Sequence, residues 1–222
     1  MPTDTTAEVR APGGWFAADM PVLCRWAAGL LLVAPDADGL AAYRTPEGRA
    51  LLDRLCADAA LAPVGATLAG LTAPDADLAA GARRIEMAHS RAFLMGGFRA
   101  IPPYASVWLS PRGLLWQEPA RGMARLLAAC GLSVDLSTPE PPDHLAIQLN
   151  LLAMLIEAET AGTPVPIPAA EFARDHMLTW LPMLGDACDR LQDPFLYPDL
   201  IRGLTAMLTR AAGTPNDFIP RE

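Results

Sequence analysis

Lysine is absent from this 222-residue sequence, and arginine supplies all 17 of its basic side chains. Acidic residues number 25 and set the net charge at −8. No basic cluster stands out, so nucleic acid is not an expected partner; an acidic surface instead attracts cationic ligands. Aromatics make up only 6% of the chain, and Val, Ile, Tyr and Phe are sparse beside Ala, Leu, Arg and Glu. That balance excludes an all-β architecture and favours helices. There is no GxGxxG after a strand, no P-loop, no GxSxG and no HExxH, so neither nucleotide chemistry nor a familiar hydrolase is indicated. The four cysteines, Cys24, Cys56, Cys130 and Cys188, form no CxxC pair; each lies in an apolar helical context that predicts a reduced, packed thiol in the cytoplasm. The N-terminus has no basic stretch leading into an apolar core, so no signal peptide is expected. The longest apolar runs, broken by Arg25, Gln148 and Asn150, fall short of a membrane span.

What the chain does contain is helical texture. Residues 1–14, rich in Thr, Pro and Gly, read as a flexible tail, and 214–222 as another. Between them, 15–213 read as one all-helical domain. Thr45-Pro46-Glu47 has the chemistry of a helix start, Asp residues precede the run that ends near Phe93, and Gly131 closes another helix. Residues 96–115 show no helical period and contain several Gly and Pro clusters. So long an irregular segment in a compact domain is commonly functional, and Phe98, Tyr104 and Trp108 predict that it is ordered.

The stretch "TPEPPDHLAIQLNLLAMLIEAE", residues 138–159, passes abruptly from prolines and charge to an almost wholly apolar helix. Pro141 and Pro142 suit a first helical turn, where Asp143 would meet orphan backbone N–H groups. That accounts for Asp143 as a cap but not for His144. Histidine occurs three times, at 89, 144 and 176, and two of the three follow Asp. Adjacent helical side chains diverge by about 100°, so neither Asp-His pair alone chelates an ion, although two distant pairs can meet in a metal-dependent hydrolase.

"EPPDH", residues 140–144, resembles the hallmark of the TorD/DmsD/NarJ family of redox-enzyme maturation chaperones. Upstream, "PPYASVW" resembles the same family's P-P-aromatic-x-S-x-W segment. Downstream, "HMLTWLPMLGDACDRLQDPFLYPDL" resembles its closing region, so the likeness runs over roughly 80–210. His89 and Ala92 stand where members usually carry an aromatic pattern. The resemblance implies an all-α, single-domain helical bundle with no catalytic role and no cofactor of its own. The implied partner is the twin-arginine signal peptide, and also the body, of the catalytic subunit of a molybdopterin oxidoreductase, held in the cytoplasm for cofactor insertion before export. A monomer or a helix-exchanged dimer is implied, without membrane insertion.

Such a receptor needs carboxylates for guanidinium groups and an apolar groove behind them. The peptide-binding candidates are Asp143, His144, Pro141, Glu140, Phe93, Tyr104, Trp108, His89 and Ser106. Asp143 is an arginine acceptor, a cap or both; Trp108 is a groove wall or an anchor. Two alternatives remain beside this expectation: the metal-dependent hydrolase, and a maturation partner of a cytosolic enzyme.

Overall fold

Local chemistry sets the helix starts. Thr45 accepts a hydrogen bond from the Gly48 N–H, with Pro46 in the first helical position, and Asp36 and Asp77 cap the helices that follow them in the same way. The computed structural model describes residues 19–94, 101–133, 140–191, 193 and 195–212. The expected tails at 1–14 and 214–222, together with Phe98, lie outside the described residues.

In chain order the helices are α1 (Met20–Leu32), α2 (Ala37–Ala41), α3 (Pro46–Ala57), α4 (Ala62–Leu71), α5 (Leu78–His89), α6 (Ala105–Leu109), α7 (Glu118–Ala129), α8 (Leu145–Thr160), α9 (Ala169–Phe172), α10 (Leu181–Cys188) and α11 (Tyr197–Ala212). Among the described residues there is no strand, only an isolated bridge between Tyr104 and His144, so the fold is all-α. The segment 96–115, irregular by sequence, contains α6. Two π-helical turns, Ser90–Leu94 and Ala173–Met177, continue α5 and α9.

The axis of the fold is α8, buried nearly all round, with Leu145, Leu149, Leu152 and Ile156 fully inside. Its broadest partner is α1. The small residues Ala27, Ala28, Ala146 and Ala153 are all buried along these two helices and favour close approach. At one end Arg25 donates twice to Glu157, at 2.5 and 2.6 Å. This pair is exposed and contributes register more than stability. At the other end the Leu31 carbonyl meets His89. One core cluster draws on every helix named above. No helix among the described residues is long and apolar enough to cross a membrane.

Cys24 and Cys188 are buried, and burial pushes both thiols up to about 12. Cys56 is exposed and Cys130 half-buried, contrary to the expectation of four packed thiols. The inner stripe of α3 runs through Leu52 and Leu55, and Cys56 sits about 100° round from Leu55.

Where α11 crosses the start of α4, Gly203 is required by space. A Cβ there would lie 2.7 Å from the Ala60 carbonyl oxygen and 2.8 Å from Leu61 Cδ2. Gly203→Ala should cost about 2 kcal/mol through overpacking. Urea unfolding checks this: a lower midpoint at unchanged slope is expected, and a wild-type midpoint would mean that α11 shifts freely.

Candidate functional site

The segments 102–108 and 140–144 meet in space. Leu145 N–H donates to the Pro103 carbonyl at 2.8 Å, and Ala105 N–H donates to the Asp143 carbonyl at 3.2 Å. These two bonds flank the Tyr104–His144 bridge and zip the "PPY" strip to the "DH" turn.

Asp143 and His144 then divide the capping of two helices between them. His144 is the N-cap of α8, its Nδ1 accepting the Ala146 N–H at 3.0 Å. The Asp143 Oδ2 accepts the Ser106 N–H at 2.6 Å and so caps α6 instead. This corrects the sequence expectation, which set Asp143 and the two prolines in the first turn of α8. The helix begins later because residues 141–144 form a turn, closed by His144 N–H donating to the Pro141 carbonyl at 3.0 Å. It also explains why a His follows the Asp: each serves a different helix end.

Both side chains are sealed. Asp143 is 0% exposed and His144 4%. To accept the Ala146 N–H, Nδ1 must be unprotonated, and burial pushes the imidazole down to about 4. The second oxygen of Asp143, Oδ1, is buried without a hydrogen-bond partner among the described residues.

Above this turn lie the groups that reach solvent. The Tyr104 ring meets His144 edge-on at 4.9 Å between centroids, and its hydroxyl donates to Glu140 Oε2 at 2.6 Å. Burial first, then Glu140, raises the phenol's pKa well above normal. Tyr104 and Glu140 are both half-buried. The Trp108 indole donates to the Pro102 carbonyl at 2.8 Å and so pins the strip.

The other candidates lie inside. Pro141 and Ser106 are buried in the turn and at the start of α6. His89 and Phe93 form an edge-to-face cluster with Tyr197, at centroid distances of 5.2, 5.7 and 4.9 Å. Burial lowers the pKa of His89. His176 stacks on Phe172 and Asp175 pairs with Arg174. Among the described residues no three His, Cys, Asp or Glu side chains gather as a metal ion would require.

Gln148 was legible only as a break in an apolar run. Its Nε2 donates to the Asp143 carbonyl at 3.0 Å, and its Oε1 lies 3.4 Å from the Trp180 indole nitrogen. A lone amide within an otherwise apolar turn was the available signal, since buried amides are hydrogen-bonded.

The family model for the nitrate reductase delta subunit matches residues 57–185. Chaperone protein TorD of Ferrimonas balearica is 36% identical over 193 residues, 83% of this chain and 84% of that protein. Chaperone protein TorD of Vibrio vulnificus is 30% identical, covering 82% and 87%. A crystal structure from Archaeoglobus fulgidus, provisionally named a redox enzyme maturation protein, superposes with a TM-score of 0.52 over 86% of this chain and 94% of that one, at 18% identity, a likeness of fold alone. By family model and by extended identity, the chain belongs to the nitrate reductase delta subunit family, the TorD/DmsD/NarJ group of redox-enzyme maturation chaperones.

Proposed function

We propose that this protein is a cytoplasmic chaperone that binds the twin-arginine leader of a molybdoenzyme catalytic subunit and holds it for cofactor insertion before export. The observation that carries the proposal is the Glu140–Tyr104 pair, a half-exposed carboxylate held in place over a sealed turn. Tyr104 occupies one Glu140 oxygen and leaves the other to accept from a guanidinium. In this reading Glu140 meets the leader arginine directly, while Asp143 and His144 hold the surface rigid beneath it. The net charge of −8 speeds capture of a cationic peptide. Membership of a family whose relatives are named chaperones supports a binding role.

Calorimetric titration with a synthetic leader tests the proposal. Glu140→Gln, which keeps an acceptor for Tyr104 but removes the charge, should weaken binding about tenfold at low salt and less at high salt. Absence of binding by the wild-type protein would sink the proposal. Equal affinity in Glu140→Gln would remove Glu140 from it.

A further inference from the structure

Beside the carboxylate rim stands a second, apolar feature. Leu109, Leu114, Leu115 and Trp116 are 42%, 50%, 41% and 54% exposed, four large apolar side chains within eight residues. The chain folds back after α6 through Gly113, and Gln117 N–H returns to donate to Ser106 Oγ at 3.2 Å. The same Ser106 gives its N–H to Asp143. One hydrogen-bonded relay therefore fixes the apolar lobe relative to the turn that carries Glu140.

Two details show that the lobe is shaped rather than merely uncovered. Trp116 has a φ of 61°, a left-handed backbone that a bulky side chain adopts only against a steric cost. That conformation is held by Gln117, whose Nε2 donates to the Leu115 carbonyl at 2.8 Å and whose Oε1 accepts from Arg112 at 3.0 Å. Charge also changes sign here. Arg112 bonds an uncharged amide and has no ion pair among the described residues, while Glu118 is already paired with Arg121 and Arg125.

We propose that this lobe seats the uncharged apolar run of the leader, the part that follows its arginines; the inference rests on the leader-binding reading above. A peptide laid across the site then has one polarity. Its arginines face Glu140 at one end, and Arg112 excludes them from the other. Helix α6 has five residues, about 8 Å of axis, so a few extended residues carry a peptide from the carboxylate to the lobe. Polarity is thus set by Glu140 and Arg112, and apolar affinity by Trp116.

The test uses Trp116→Gly in the full chain, a variant that relieves the left-handed strain, so its melting temperature should equal or exceed that of the wild type. Two synthetic peptides are compared by calorimetry: an arginine pair followed by a Leu/Ala run, and the same arginine pair followed by serines. The expected result is that Trp116→Gly weakens the Leu/Ala peptide at least tenfold and leaves the serine peptide unchanged. Leu/Ala binding undiminished in Trp116→Gly overturns this inference and leaves the leader-binding reading standing. No binding of either peptide to the wild type overturns both.

Discussion

Trp180→Ala should lower stability by about 3–5 kcal/mol, the cost of emptying a site filled by a fully buried indole. The loss should spread beyond the cavity. Trp180 lies against Gln148, Gln148 holds the Asp143 carbonyl, and Asp143 caps α6, so removing the indole loosens the junction between "PPY" and "DH". Faster hydrogen exchange at the Ser106 and Ala146 amides should accompany the lower urea midpoint. Trp180→Phe keeps most of the volume and should recover most of the loss, because the indole N–H contact at 3.4 Å is long and contributes little. A midpoint within about 1 kcal/mol of the wild type in Trp180→Ala would contradict a close-packed role for this side chain.

Acid should destabilise the fold nearly as strongly. His144 titrates at about 4 in the folded protein against 6.5 when unfolded, so between those values the unfolded chain binds the extra proton. Stability is therefore fully present above pH 6.5 and is lost as pH falls through about 4, by about 3 kcal/mol from this group. His89 and His176, whose pKa values burial also lowers, act in the same direction. Denaturant unfolding at pH 7 and pH 4 measures the sum. His144→Asn isolates the main contribution, since Asn still caps α8 but does not titrate in this range. Its stability should fall less steeply over the same interval. An acid response identical to that of the wild type would assign the effect to other groups.

The architecture was largely legible because helix starts and stops are local. Thr45, Pro46, Asp77 and Gly131 act within a few residues of themselves, and the structure uses each as its chemistry suggests. The site was legible in its parts but not in its division of labour. Sequence marks Asp143 as a cap without saying which helix end it faces, and only the pairing of Pro103–Ala105 with Asp143–Leu145 turns the carboxylate toward Ser106. Phe93 and His89 were eligible as pocket walls, yet Tyr197, about a hundred positions away, encloses them in a core cluster. Trp116 carries no sequence signal, because its exposure and positive φ accompany the return of Gln117 to Ser106, a contact that no periodicity reports.

The pairing of α1 with α8 has a consequence for assembly. Arg25 and Glu157 are separated by 132 positions, so the central interface closes a long loop, which is unusual in a class of proteins that mostly condenses from near neighbours. During synthesis α1 leaves the ribosome well before its partner exists, with Leu23, Ala27, Leu30 and Leu31 unshielded until translation passes α8. The "DH" turn immediately precedes α8, so the surface proposed above to bind a leader matures late, and the newborn chaperone is itself a candidate for chaperoning.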